Sequence, residues 1–229
     1  MIKNVVFDCG QVLIHFDPQY MVERYVTDLD DSMLLQKVVF DRTYWDRLDR
    51  GTITDAEVVA AVCARLPERL HAVAAVIYEN WIYNIPEVEG MRELIAEIKA
   101  CFGVKTCLLS DISRYFSEHR HEIAILDEID ALVMSADYGL VKPHRETFEN
   151  LFAVCDIRPE ESVFIDDRAT NIAGAAACGM QGYCFDGDVG KLREYLFSVL
   201  SQSSNKIIHF NGERIGSHRK ETNHETNRA

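Results

Sequence analysis

The chain has 229 residues, 48% of them hydrophobic and 27% charged, which suits a soluble globular protein with a substantial core. Its formal net charge of −13 argues against a nucleic-acid partner, yet it admits a small phosphorylated ligand wherever a divalent cation changes the local charge. No apolar run is long enough to span a bilayer, and MIKNVVFDCG enters a strand without a signal peptide, so a cytoplasmic protein with no membrane partner is expected.

The first element sets the frame. Val5, Val6 and Phe7 form a short, β-branched apolar run that reads as a buried strand. It ends on Asp8, and Gly10 permits a sharp turn two residues later. A carboxylate at that position lies where open α/β sheets place their ligands, although it can equally cap the turn. The seven cysteines (Cys9, Cys63, Cys101, Cys107, Cys155, Cys178 and Cys184) are odd in number and contain no C-x-x-C pair. Neither a disulfide framework nor a zinc site fits, and most are expected to be small core residues.

After the break at Ile14–Pro18, Pro18 suits the first turn of a helix carrying Met21, Val22, Tyr25 and Val26. Asp31 is expected to cap a helix carrying Met33, Leu34, Val38 and Val39. Thr54-Asp55-Ala56-Glu57 reads as a capping box before Val58, Val59, Val62 and Leu66. A further helix carries Leu70, Val73, Val76 and Ile77. Strand signals are almost missing from 19 to about 85.

From Pro86 the rhythm alternates. A helix with Met91, Leu94, Ile95 and Ile98 precedes a strand at 104–110, and 113–129 is mostly helical. A short strand at 131–135 leads to a helix starting at Pro143. Val163-Phe164-Ile165 is a strand, 171–180 an alanine-rich helix, 182–185 the last strand and 189–200 the last helix. The pattern predicts an α/β fold: a Rossmann-like parallel sheet with helices on both faces and an inserted all-helical block that can act as a lid. The expected division is an α/β core at 1–15 and 86–202, a helical cap at 16–85, and a polar, disordered tail at 203–229 that carries His209, His218 and His224.

Polar residues then fall at four strand ends: Asp8, Ser110-Asp111, Lys142 and Asp166-Asp167. In a parallel sheet these ends share one edge. Three carboxylates in one crevice cannot all stay ionised without a cation, and hard oxygen ligands suit Mg²⁺, which keeps waters and takes a substrate phosphate. Lys142 and the Ser110 hydroxyl could then hold phosphoryl oxygens.

The segments FDCGQVL, LLSD, GLVKP and FIDDRATN, in this order, resemble the four motifs of the haloacid dehalogenase superfamily, over about residues 3–200. The insertion after the first strand resembles that family's helical cap. Gly10 and the segment Arg50-Gly51-Thr52-Ile53-Thr54-Asp55 are similar to those of the sugar-phosphate phosphatases, including the α-glucose-1-phosphate type. The resemblance implies a Mg²⁺-dependent phosphatase of a small phosphorylated metabolite. Asp8 would form an aspartyl-phosphate and bind the metal, with the Gly10 carbonyl and Asp166 and Asp167 as further ligands. Ser110, Asp111 and Lys142 would hold the phosphate, and Asn171 would orient Asp167 or a metal-bound water.

One departure is visible. Most phosphatases of the family carry a second Asp two residues after the nucleophile, as general acid. Here that residue is Gly10. His15 or Asp17 could replace it, or a good leaving group could reduce the need. Two other readings remain: a metal-independent 2-haloacid dehalogenase, disfavoured by the acid pair Asp166-Asp167, and a non-catalytic binding protein of the same fold. Substrate choice is expected from the cap, with His15, Trp45, Arg47 and Arg50 as candidates. Nothing in the sequence names a protein partner.

Overall fold

The computed structural model describes the backbone of residues 1–211 and side chains through residue 201. Strand β1 (Asn4–Phe7) is buried at every position. Helices α1 (Pro18–Glu23), α2 (Leu29–Val39), α3 (Arg42–Asp49), α4 (Asp55–Cys63) and α5 (His71–Asn80) follow before α6 (Met91–Phe102) and β2 (Lys105–Ser110). Then come α7 (Arg114–His119), β3 (Ala131–Met134), α8 (Ser135–Tyr138), α9 (Arg145–Cys155), β4 (Ser162–Asp166), α10 (Ala169–Ala177), β5 (Gln181–Cys184) and α11 (Val189–Asn211).

The five strands are parallel, in the order β3-β2-β1-β4-β5. Alternation along β1 explains the two-sided coverage. Val5 and Phe7 enter one core with Leu94 and Ile98 of α6 and Leu192 and Leu196 of α11. Val6 points the other way, into a second core with Phe148 and Leu151 of α9 and Ala175 of α10. From β1 the chain crosses to β2 on one side, while β4 pairs with β1 on the other. The carboxyl end of β1 is therefore the switch point where such sheets open a crevice.

The helical insertion leaves and rejoins the core through two adjacent chain segments. His15 N–H donates to Pro86 O (2.9 Å) and Val88 N–H to Leu13 O (2.9 Å). An aromatic cluster joins insertion to core: Trp81 packs edge-on against Phe16 and Trp45 and stacks on Phe116 of α7, with centroids 5.6, 5.1 and 5.8 Å away.

Several local expectations shift. Helix α2 is capped by Asp28, whose Oδ1 accepts from Asp31 N–H at 2.9 Å, so Asp31 lies inside the first turn and pairs with Arg69. The Thr54–Glu57 capping box forms as read. Residues 113–129 give only one turn and a half of α-helix, then two 3₁₀ segments, Arg120–Glu122 and Ala124–Glu128. Helix α9 begins at Arg145 because Val141–His144 closes a turn, with His144 N–H on Val141 O. Of the cysteines, Cys9, Cys107 and Cys155 are buried, Cys63 and Cys178 are half-buried, and Cys101 and Cys184 are exposed. Helix α11 runs to Asn211, past Ser203 where the sequence predicts order to end. Once Leu192, Leu196 and Leu200 dock its first turns, each added residue extends a helix already nucleated. The tail's His218 and His224 lie outside the described residues.

One close approach fixes the loop before α9 against α10. A Cβ on Gly174 would lie 2.6 Å from Pro143 O and 2.9 Å from Phe148 Cε2. Gly174→Ala should therefore force the two apart and cost about 1–3 kcal/mol, the usual penalty of overpacking. Urea denaturation checks this; an unchanged midpoint would show that the contact does not constrain the fold.

Candidate active site

The site is built from the carboxyl ends of β1, β2 and β4. Pairing of Phe7 with Leu108 and Ile165 puts Asp8 level with Leu109 and Asp166. The Asp8 N–H donates to Ile165 O, and its Oδ1 accepts from Cys9 N–H at 2.7 Å. Lys142 arrives from the α8–α9 loop, held by its own N–H on Asp111 Oδ1 (2.9 Å) and by Thr147 Oγ1 on Val141 O (2.7 Å). Its ammonium, 1% exposed, lies 2.8 Å from Asp8 Oδ1 and 2.8 Å from Asp166 Oδ2, and donates to Leu109 O at 3.2 Å. An ammonium has three N–H groups, and all three are engaged. Any contact with a phosphoryl oxygen must share or displace one of them.

Asp166 is equally committed. Asn171 Nδ2 donates to both its oxygens at 3.0 Å, and Arg168 N–H to Oδ1 at 2.8 Å. Asn171 thus orients Asp166 rather than Asp167, because the first turn of α10 faces the strand end. Asp167, half-buried, is the carboxylate of the pair left facing the cavity.

Electrostatics follow from burial. Burial lifts the Asp8 carboxyl to about 7, against the pull of Lys142 and with the push of Asp166. Burial also acts to lower the Lys142 pKa, but Asp8, Asp166 and Asp111 outweigh it and hold the ammonium above its usual range. Asp111 and Asp167 are raised, in both cases chiefly by burial. Burial and the neighbouring Asp8 push the Cys9 thiol far up, so it stays protonated and inert.

The donor set fits a hard divalent cation. Oxygens of Asp8, Asp166 and Asp167 lie within 4.8 Å of one another, and one lysine does not balance three carboxylates. A cation there would lower the Asp8 pKa and keep it ionised.

A cavity of about 170 Å³ opens above these groups. Asp8, Gly10, Ser110, Asp111, Lys142, Asp167 and Asn171 line it from the core, and Trp45 lines it from α3. Asp166 lies beneath the wall, fully buried. Trp45 is 5% exposed, packs against Phe16 and Trp81, and donates Nε1–H to Val39 O, so little of its ring is free for stacking. His15 and Arg47 are exposed and outside this cavity; His15 faces Val88 and Asp186 to Val189, and shares a neighbouring recess with Gln11 and Asp167. Asp17 is taken up in capping α1. Arg50 lines an adjoining recess with Arg42, Asp49 and Asp111. Sequence reasoning missed Arg42, Asp49, Trp81 and Arg168, which also line the cavity. Arg168 follows the acid pair directly and was accessible by position. Asp49 carried no signal, since it reads as one more polar residue at a helix end.

The family model for haloacid dehalogenase-like hydrolases matches residues 2–179. A sesquiterpene phosphatase of Aspergillus oryzae is 25% identical over 181 residues, covering 79% of this chain and 88% of the relative. A glyceraldehyde 3-phosphate phosphatase of Pyrococcus furiosus is 26% identical, covering 62% of this chain and 67% of that one. Among solved structures, an HAD-like family hydrolase from Porphyromonas gingivalis superposes with a TM-score of 0.62 at 21% identity, covering 86% of this chain and 98% of that one, a likeness of fold alone.

The carboxylate cluster makes a binding prediction. Magnesium at a hundred times its dissociation constant should stabilise the protein by about 2.7 kcal/mol. Protons compete for Asp8, whose carboxyl is raised to about 7, so the gain should be larger at pH 8 than at pH 5.5. Thermal unfolding with and without Mg²⁺ measures both, and Asp167→Asn should remove most of the shift. A shift that survives this substitution would place the ion elsewhere.

Proposed function

Because this chain belongs to the haloacid dehalogenase-like hydrolases, we propose that it is a Mg²⁺-dependent phosphatase that transfers a phosphoryl group from a small metabolite to Asp8 and then to water. The observation that carries this reading is the buried Lys142 ammonium bridging Asp8 and Asp166 beneath the carboxylate cluster.

Each residue has a task. Asp8 attacks phosphorus through one carboxylate oxygen, and the phosphate ester bond opens. Lys142 favours the ionised form of Asp8, against the effect of burial, and steers its carboxylate. The Ser110 hydroxyl donates to a phosphoryl oxygen, while the Asp111 carboxylate, itself an acceptor, serves by holding the Lys142 backbone. Asp8, Asp167 and the Gly10 carbonyl are the ligands assigned to Mg²⁺, with Asp166 behind them, fixed by Asn171. Bound there, the ion would offset negative charge on the phosphoryl group.

The cavity, about 170 Å³, is below the roughly 300–1,000 Å³ usual for drug-sized ligands, which points to a small substrate. Its walls combine charged groups (Arg42, Asp49, Arg168) with aromatic edges (Phe16, Trp45, Trp81). This mixture suits a hydroxyl-bearing ring, so sugar phosphates are the first class to test. The A. oryzae relative is a sesquiterpene phosphatase, so a prenyl phosphate belongs in the same panel. The adjacent acids Asp166 and Asp167 disfavour halide displacement, which needs no metal.

A panel of phosphorylated metabolites with Mg²⁺ should release inorganic phosphate from at least one sugar phosphate. EDTA and Asp8→Asn should each abolish turnover. Phosphate release that persists in Asp8→Asn, or chloride release from 2-chloropropionate in EDTA, would overturn the reading.

A further inference from the structure

Gly10 offers no proton to a departing alkoxide, and neither His15 nor Asp17 lines the cavity. One buried carboxyl group there has no assigned task. Asp49 is the last residue of α3, 5% exposed, and it lines the same cavity as Asp8 and Ser110 from the side of the helical insertion. Its position is fixed by a close backbone approach. After Asp49 the chain turns, with Gly51 N–H on Leu48 O at 2.8 Å and Gly51 at φ +63°. A Cβ on Gly51 would lie 2.9 Å from Ala136 O in α8, so only glycine lets the insertion meet the core so closely. That contact pins the end of α3 over the carboxyl edge of the sheet.

We propose that Asp49 is the general acid–base of the reaction, protonating the leaving-group oxygen from the insertion side. The inference rests on the phosphatase reading above. In the first step the Asp8 oxygen bonds to phosphorus and the ester P–O bond breaks. Its electron pair goes to the leaving oxygen, which takes the Asp49 proton and departs as an alcohol. In the second step the Asp49 carboxylate takes a proton from water as the water oxygen attacks phosphorus. The bond from phosphorus to Asp8 breaks, phosphate leaves, and both groups return to their starting states.

The surroundings of Asp49 suit this cycle. Its nearest cation is Arg42, with Nη2 3.7 Å from Oδ2, too far for a hydrogen bond, and Arg42 pairs more closely with Asp46. Arg50, Asp111, Lys142 and Arg168 line the adjoining recess. Burial lifts the Asp49 carboxyl to about 7, with Arg42 and Lys142 pulling it down and Asp111 and Asp46 pushing it up. A proton donor poised near neutral pH is the efficient case.

The test uses leaving groups that differ in their need for a proton. Asp49→Asn is isosteric with the protonated acid and should fold; thermal unfolding verifies it. With Mg²⁺, its kcat/KM should fall about 10²–10⁴-fold on benzyl phosphate, whose alkoxide must be protonated. The fall should be less than tenfold on 4-nitrophenyl phosphate, whose phenolate leaves without a proton. In the wild type, a descending limb near pH 7 should appear for benzyl phosphate only. An equal loss on both substrates, no loss on either, or identical pH profiles would overturn the role of Asp49 while leaving Asp8-dependent hydrolysis standing. A wild type that hydrolyses neither ester would overturn the phosphatase reading and this inference with it.

Discussion

The structure depends on one buried charge arrangement: the Lys142 ammonium, almost fully withdrawn from water, held between Asp8 and Asp166. Withdrawing such groups from water is costly, and the cost is recovered only where every donor and acceptor is satisfied. Here the satisfaction is complete on the lysine side, through Asp8, Asp166 and Leu109 O, and on the Asp166 side, through Asn171 and Arg168 N–H. Removing either partner would strand the other. The loop that delivers Lys142 is accordingly tied down by Asp111, by Thr147 and by the close seat of Gly174 on Pro143.

The same arrangement leaves a negative balance. Asp8, Asp166 and Asp167 converge from two strands, and one ammonium cannot neutralise them. Burial therefore raises Asp8, the residue proposed as nucleophile, toward neutrality. A divalent cation bound there would resolve this conflict, so metal affinity, the ionisation of Asp8 and fold stability would be aspects of one electrostatic problem.

The helical insertion covers the edge where this charge collects. Trp81, packed against Phe16 and Trp45, stacks on Phe116 of the core and secures it apolar face to apolar face. The Gly51–Ala136 approach adds a second, backbone-level anchor. If Asp49 carries the proton, the acid belongs to the insertion and the nucleophile to the core. Chemistry would then be complete only with the insertion seated on the core.

Much of this was legible in the residue order. The 2-residue alternation of VVF, the 3.6-residue pattern of 91–98 and the change of rhythm at Pro86 are local signals, and they were enough for the parallel sheet and its helical insertion. Asp8, Ser110 and Asp167 could be read because they stand at or just past strand ends, and parallel strands bring their ends together; Lys142 could be read from its place just before Pro143, although it reaches the site from the α8–α9 loop. What the sequence could not show depends on distant pairs. Asn171 serves Asp166 because of how the first turn of α10 meets β4. Lys142 has no free N–H because Leu109 O is in reach. Asp49 enters the cavity because Gly51 allows two backbones to touch. A side chain's partners across the fold are set by packing between segments far apart in the chain, and no local periodicity records them.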